Sequence, residues 1–181
     1  DKNDLGLHGG LIDEGTMALI RNGNVTGERK RIDRGFSVTG MALGESSLYE
    51  TLINEATVLF RGANYTHEVD TIKELDNFVS INSAIEVDLF GQVNSEFAGG
   101  KQLSGTGGAV DFMRAAKTSS GGRSIIAMNA TAKGGKKSKI VPKVEMVTAL
   151  RTDVDIVVTE FGVARIKDLP VKERGLSLIH I

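Results

Sequence analysis

Cysteine is absent from the 181-residue sequence, and histidine occurs only three times. Without cysteine the chain has no disulfide, no thiolate nucleophile and no sulfur-ligated metal site, which is typical of a protein in a reducing cytoplasm. The histidines, His8, His67 and His180, lie far apart and match no metal-ligand spacing. We therefore expect a cytoplasmic protein without a bound metal.

An excess of one charge and a long hydrophobic run are also lacking. The chain has 22 Lys and Arg against 23 Asp and Glu, a formal net charge of −1, which argues against a nucleic-acid-binding protein. No apolar run approaches the roughly 18 residues that a membrane span needs, and the charged start "DKNDLG" is unlike a signal peptide. The length and the 40% hydrophobic content predict one globular domain away from the membrane.

Proline is rare, with 2 residues, whereas the 22 glycines cluster at the ends of apolar runs. Helices are predicted for "LIDEGTMALIRNG" and "SSLYETLINEA", and "GTGGAVDFMRAAKTSSGG" predicts a glycine turn that leads into a helix and out through another glycine pair. Strands are predicted for "FSVTGMAL", "TVLFRGA" and "FVSINSAIEVDLFGQV", and the near-continuous apolar runs "RSIIAMNA" and "VDIVVTEFG" are typical of central strands. This alternation predicts an α/β layered domain with a mostly parallel sheet flanked by helices.

The stretch "SGTGGAVDF", Ser104 to Phe112, places three glycines just before a predicted helix. The N–H groups of Gly107 and Gly108 can face an anion there, where the helix N-terminus adds positive potential. The pattern is neither a Walker loop nor a complete G-x-G-x-x-G fingerprint, because Val110 stands where the third glycine belongs. A phosphate or oxyanion site and a purely structural turn are the two alternatives.

The stretch "TAKGGKKSK", Thr131 to Lys139, is a glycine-hinged loop that carries four lysines and follows a predicted buried strand: Lys133, Lys136, Lys137 and Lys139. Loops at the carboxyl ends of parallel strands bind ligands in open α/β sheets, and a lysine there can contact phosphate. The competing interpretation is a solvated charge run.

Two acids, Glu86 and Asp88, are two residues apart and therefore lie on one face of a predicted strand. Such a pair can perform acid–base chemistry, but structural hydrogen bonding on a polar strand face is the more common role. The residues alone therefore predict a binding domain for something anionic, without a recognisable nucleophile.

Five stretches, in this order and spacing, resemble the C-terminal domain of the acetyl-CoA hydrolase/transferase family: "DLGLHGGLIDEG", "FVSINSAIEVDLFGQVNSE", "SGTGGAVDFMR", "GGRSIIAMNATAKGGKKSKIVP" and "VDIVVTEFGVARIKDLPVKER". The resemblance runs from about Asp4 to Arg174, while "GLSLIHI" after Arg174 fits the family poorly. It implies a CoA-transferase-like fold, coenzyme A and small carboxylic acids as substrates, no permanently bound cofactor, and assembly into a homo-oligomer. It also implies that this chain is one domain, residues 1–181, and that the family's N-terminal half is absent.

The resemblance implies roles for individual residues. Gly105, Gly107 and Gly108 correspond to the family's "GxGG", with the Gly108 N–H as an oxyanion donor, and Phe112 lies beside the CoA. Lys133 corresponds to a lysine that contacts CoA. Asn82 and Ser83 line the same cleft.

The sequence departs from the family at the catalytic position. In the family a glutamate at the third place of a His-Thr/Ser-Glu triplet attacks the acyl-CoA thioester, and covalent catalysis then passes CoA to another acid. The triplet here is His8-Gly9-Gly10. Asp13 and Glu14 are the nearest acids that follow, but each begins about a helical turn away, and catalytic geometry tolerates errors of only about 1 Å.

Three functions follow from the resemblance and the departure. The first is a CoA-transferase or acyl-CoA hydrolase that uses water or an unfamiliar nucleophile. The second is a non-catalytic CoA-binding or regulatory module. The third is a generic nucleotide-binding α/β domain.

Overall fold

The computed structural model of the chain describes residues 2–181 and divides into two compact units. The first unit contains the residues up to Asp76 together with Thr118–Ser120, and the second contains Asn77–Lys117 and Gly121–Ile181. Each unit has its own cluster of buried apolar side chains. Between residues 2 and 181, no helix is long and apolar enough to cross a bilayer.

The first unit contains four short strands and four helices. The strands are β1 (Leu11–Ile12), β2 (Ser37–Thr39), β3 (Met41–Ala42) and β4 (Val58–Phe60). The helices are α1 (Glu14–Arg21), α2 (Ser46–Ile53), α3 (Ala63–Thr66) and α4 (Val69–Ile72). β1 pairs with β3 and β2 pairs with β4, both in parallel.

Helix α1 forms where the sequence predicts a helix. Asp13 caps its N-terminus by accepting hydrogen bonds from the N–H and the hydroxyl of Thr16 at 2.8 and 2.7 Å, and Asn22 ends it. Met17 on its inner face is 3% exposed and packs in the cluster that holds the unit together. α1 therefore starts four residues after Gly10, and its cap fixes the segment between them.

The second unit contains eleven strands and two helices. The strands are β5 (Val79–Asn82), β6 (Glu86–Asp88), β7 (Val93–Asn94), β8 (Phe97–Ala98), β9 (Lys101–Gln102), β10 (Arg123–Ala127), β11 (Thr131–Ala132), β12 (Lys137–Ser138), β13 (Ile140–Val141), β14 (Ile156–Thr159) and β15 (Gly162–Arg165). The helices are α5 (Ala109–Thr118) and α6 (Val171–Leu178).

A four-stranded sheet in the order β15-β14-β10-β5 forms the centre of the second unit. β5, β10 and β14 are mutually parallel, and only β15 at the edge is antiparallel. The predicted α/β class is confirmed, as are β10 and β14 as central strands, where Ile126 and Val157 are fully buried. Strand pairing in the second unit is mixed, because short antiparallel hairpins, including β8–β9 and β11–β12, occur along the chain between the parallel strands.

Candidate functional site

Two sequence-predicted regions of the second unit follow adjacent parallel strands of its central sheet. Asn82, the last residue of β5, is in register with Ile126 near the end of the parallel strand β10. The hairpin β11–β12 follows β10 after Met128–Ala130. The carboxyl ends of adjacent parallel strands therefore carry both Asn82–Ser83 and the lysine loop, which is the edge at which α/β sheets bind ligands.

The glycine turn directly precedes α5, the helix that leads into the central strand β10. The C-terminus of α5 connects through four residues to the amino end of β10. A ten-residue helix spans about 15 Å, and a five-residue strand about 16 Å. The glycine turn, Ser104–Gly108, is thus separated from the start of β10 by the length of α5.

The glycine turn presents free main-chain donors. Gly107 has φ +56, a conformation that glycine adopts without steric cost, and the turn is exposed up to Gly107. Within residues 2–181 the N–H groups of Gly105, Thr106, Gly107 and Gly108 donate to no other residue. The first bond of α5 is donated by Phe112 to the carbonyl of Gly108 at 3.2 Å. Four donors at a helix N-terminus form an arrangement suited to an anion.

Lys133 sits at the tip of the β11–β12 hairpin in a strained conformation. Five described non-glycine residues have positive φ, and Lys133, at φ +53, is the only one of them that is neither Asp nor Asn. Gly134 and Gly135, also with positive φ, complete the tip, and the Lys133 side chain is exposed. Strained residues of this kind cluster at ligand sites.

The remaining lysines of the loop differ from Lys133. Lys137 donates to Glu86 Oε1 at 2.8 Å, and this hydrogen bond raises the pKa of Lys137. Lys136 is exposed and Lys139 is half-buried, and the Lys139 N–H donates to Ala130 O at 2.8 Å. One lysine of the run is thus an ion-pair partner within the fold.

Phe112 and Asn82 are partly occupied by contacts inside the unit. The Phe112 ring stacks on Phe78 with centroids 6.3 Å apart, and Asn82 Nδ2 donates to Ser80 Oγ at 2.9 Å. Ser83 is exposed, and its carbonyl accepts from Ser95 Oγ at 3.4 Å.

Asp88 is a structural residue, in contrast to the acid–base alternative. Its side chain is fully buried and accepts four hydrogen bonds, from Phe90 N, Gln92 N, Gln92 Nε2 and Val144 N, at 3.0, 2.9, 2.8 and 3.3 Å. These donors close the turn between β6 and β7 and attach it to the segment that follows β13. Asp88 therefore has the structural hydrogen-bonding role expected as the more common one, and its side chain faces the interior.

The segment with Gly10 belongs to the first unit and lies at the ends of its parallel strands. The Gly9 N–H donates to Val38 O at 3.0 Å, and the Met41 N–H donates to Gly10 O at 3.0 Å. A Cβ on Gly40 would lie 3.2 Å from Gly10 O, so the two backbones are in close contact. A Cβ on Gly9 would have no atom within 4 Å. The segment has a fixed backbone with open space beside it.

A buried polar cluster of the first unit supports this segment. His8 is 6% exposed, and its Nε2 lies 3.2 Å from Thr66 O. Lys30, 8% exposed, donates to Leu7 O at 3.1 Å and Phe36 O at 2.8 Å. Burial, together with the Lys30 charge, lowers the pKa of His8, and burial also lowers the pKa of Lys30.

The two acids after Gly10 are both engaged in the fold. Asp13 caps α1, and the hydrogen bonds from Thr16 lower its pKa. Glu14 Oε1 accepts from the Glu45 N–H at 2.6 Å, and its carboxylate occupies the space beside Gly44. Neither acid is available as a nucleophile without breaking a helix-terminal contact.

Comparison with known proteins decides the family. A family model described as the acetyl-CoA hydrolase/transferase C-terminal domain matches residues 44–181. This chain belongs to that family. It is 41% identical over 184 residues to the 4-hydroxybutyrate coenzyme A transferase of Clostridium kluyveri, an alignment that covers 100% of this chain and 43% of the relative.

Solved structures of related chains have the same fold. RipA from Yersinia pestis superposes with a TM-score of 0.94 at 43% identity, over 99% of this chain and 41% of RipA. The 4-hydroxybutyrate CoA-transferase of Porphyromonas gingivalis superposes with a TM-score of 0.85 at 37% identity, over 97% and 41% of the two chains. The chain therefore belongs to a family of enzymes and spans about two fifths of the length of these relatives.

The family match corrects one expectation and leaves another as a prediction. It extends to residue 181, so the expected poor fit after Arg174 is wrong. Leu178 in this stretch is fully buried in the core of the second unit. The match begins after the segment that contains Gly10. The roles of Gly10, Gly108 and Lys133 therefore stay predictions.

Sequence reasoning missed the residues that shape these segments from inside. Lys30 stands in the charged run "GERKRIDR" and reads as a solvated lysine, although it is buried. Glu96, 6% exposed, precedes the glycine turn by eight residues without a motif of its own. No periodicity singles out either residue, because their burial arises from contacts between segments.

Proposed function

We propose that the chain is the C-terminal half of an acyl-CoA hydrolase or CoA-transferase that acts on acyl-CoA thioesters and small carboxylic acids. The rest of the relatives' length, which the resemblance assigns to an N-terminal domain, would complete the acyl-CoA cleft. Coenzyme A is a substrate in this proposal and not a resident cofactor.

The observation that carries the proposal is the row of unused donors at Gly105–Gly108, in the same unit as Lys133. Acyl transfer from a thioester develops negative charge on the carbonyl oxygen, and positioned main-chain N–H groups stabilise it by a few kcal/mol. Gly108 is assigned this oxyanion role. Lys133 supplies a cation for the CoA phosphates, and Gly105, Gly107, Asn82, Ser83 and Phe112 line the CoA site.

Gly10 limits how far the family's reaction extends to this chain. A glycine has no carboxylate to form the glutamyl-CoA thioester, and Asp13 and Glu14 are held by the hydrogen bonds described above. Two reactions remain compatible with this arrangement: hydrolysis, in which water attacks the thioester and releases the acid and CoA thiol, and transfer by a nucleophile from elsewhere.

The same observation favours a second candidate, a CoA-binding or regulatory module without chemistry. It predicts that CoA binds through the glycine turn and Lys133 and that no thioester is consumed. Turnover of any acyl-CoA excludes this candidate.

CoA titration by calorimetry tests the binding site, with the full protein that the gene encodes. The variant Lys133→Ala loses one charge-assisted contact, and we expect its affinity for CoA to fall about tenfold. The control is Lys172→Ala, which removes an exposed lysine of α6 and should bind as the wild type does. An equal fall in CoA affinity in both variants would show that Lys133 acts only through its general positive charge. Binding of ATP as tight as that of CoA would favour the generic nucleotide-binding domain.

Release of free thiol from acetyl-CoA, with and without an acceptor acid, tests the chemistry. Gly10→Glu restores the family carboxylate, and we expect it to raise transfer activity above that of the wild type. The matched control is Gly9→Glu, which adds the same charge one residue earlier, where a side chain meets open space. Equal activity in the two variants, or an inert Gly10→Glu that still binds CoA, would contradict the assigned position.

A further inference from the structure

Glu96 is a buried acid for which the proposed reaction has no use. Acids are rarely buried unless paired, because burial removes their hydration, yet Glu96 is 6% exposed. No described Lys or Arg lies within ion-pair distance of it. Its described side-chain partner is the Nε2 of Gln102, 3.3 Å from Oε2. A weakly compensated carboxylate in a core indicates a specific local task.

The backbone of Glu96 is held from both sides. Asn94, fully buried, accepts hydrogen bonds on Oδ1 from the N–H groups of Glu96 at 3.2 Å and Phe97 at 3.0 Å. Its Nδ2 donates to Phe97 O at 2.7 Å. Glu96 therefore has a fixed position at the base of the β8–β9 hairpin.

From this position Glu96 contacts the start of the glycine turn through its main chain. Its carbonyl accepts from the N–H of Leu103 at 2.7 Å and of Ser104 at 3.3 Å. β8 and β9 pair between these two points, with Phe97 opposite Gln102. The hairpin thus returns the chain to Glu96 immediately before the turn begins.

The side chain of Glu96 adds a second link. Gln102 Nε2 donates both to Glu96 Oε2 and to Ser104 O, the latter at 2.6 Å. An amide side chain can present either oxygen or nitrogen to a neighbour, and only nitrogen can donate to a carbonyl. The carboxylate accepts and never donates when ionised, so it selects the orientation in which Gln102 holds Ser104 O.

We propose that Glu96 is a positioning residue for the glycine turn. It acts through the Gln102 amide on the Ser104–Gly105 peptide, and so sets the direction in which the N–H groups of the turn point. This inference rests on the proposed function insofar as the turn binds CoA, whereas the link itself is a property of the hairpin.

The test combines CoA titration with NMR of the turn amides in the full protein. Glu96→Leu removes the acceptor at similar volume, and Gln102→Leu removes the donor from an exposed position. We expect each variant to bind CoA about tenfold more weakly, the equivalent of one hydrogen bond, and the double variant to be no weaker than either one. Glu96→Gln, which keeps an accepting oxygen, should restore most of the lost affinity, and Glu173→Leu, which removes an exposed glutamate, should have no effect.

The amide spectra separate this inference from the proposed function. Glu96→Leu should shift the resonances of Gly105–Gly108 and leave the hydrogen exchange of Ile126 and Val157 in the central sheet unchanged. If the wild type fails to bind CoA, this pattern still supports positioning by Glu96 and rejects only the CoA site. Unchanged turn amides, additive losses in the double variant, or loss of protection throughout the sheet would overturn the inference.

Discussion

Replacing Asp88 with asparagine tests whether this buried acid is structural or chemical. Each Asp88 oxygen accepts two hydrogen bonds, Oδ1 from the main-chain N–H groups of Phe90 and Gln92, and Oδ2 from Gln92 Nε2 and the Val144 N–H. In asparagine an NH₂ group replaces one of these oxygens. The two groups that donated to that oxygen then lose their acceptor and face another donor, the NH₂ group itself.

The size of the effect follows from these contacts. A buried donor left without a partner costs about 1–3 kcal/mol, so Asp88→Asn should destabilise the second unit by about 3 kcal/mol. For a chain of this length that corresponds to a fall in melting temperature of about 6–12 °C. The assay is thermal unfolding followed by circular dichroism, with Glu86→Gln as the control, because Glu86 pairs with the half-exposed Lys137. An Asp88→Asn protein that melts with the control, and loses only activity, would refute the structural assignment.

Three further predictions concern buried positions of both units. Burial and the Lys30 charge hold the pKa of His8 below its ordinary value of about 6.5, so the unfolded chain binds the extra proton and stability should fall as the pH drops below about 6.5. His8→Gln should reduce the change of the urea midpoint with pH between about pH 7.5 and 5.5. An unchanged pH dependence would reject His8 as the cause. Lys30→Met leaves the Phe36 carbonyl without its donor, whereas Leu7 O still accepts from the Val38 N–H at 3.1 Å, and should lower the free energy of unfolding in urea by about 1–3 kcal/mol. A neutral effect would mean that water replaces the ammonium. Gly91 has φ +87, and a Cβ there would lie 2.8 Å from Ile166 Cδ1, so Gly91→Ala should destabilise the folded protein by about 1–3 kcal/mol. The control is Gly9→Ala, whose added methyl group meets open space. Equal melting temperatures of the two variants would contradict this packing.

The local elements were predictable because their signals are local. Asp13 two residues after β1 begins and Asn22 at the other end mark α1 in the sequence. The apolar runs of β10 and β14 predict inner strands, since a strand covered on both faces needs no polar side. The glycine turn before α5 was equally visible, because glycine and a following amphipathic helix are properties of adjacent residues.

The inward-facing charges were not predictable from the sequence. Alternation predicted a polar strand face with Asp88 on it, but its burial depends on three donors from the turn between β6 and β7 and one from Val144, which only the folded chain brings together. Lys30 and Glu96 are buried by carbonyl or amide partners distant along the chain or across a hairpin. Such partners replace water around the buried group in the folded protein, and the spacing of residues in the sequence does not predict them.

The central claim is a CoA site from which the attacking carboxylate is missing, and mass spectrometry of the full protein after incubation with acetyl-CoA tests it most directly. The account predicts CoA covalently attached to the peptide that contains residue 10 in Gly10→Glu, and no such adduct in the wild type or in Gly9→Glu. A Gly10→Glu protein that binds CoA but forms no adduct at residue 10 would contradict it, because the restored carboxylate would then not occupy the attacking position.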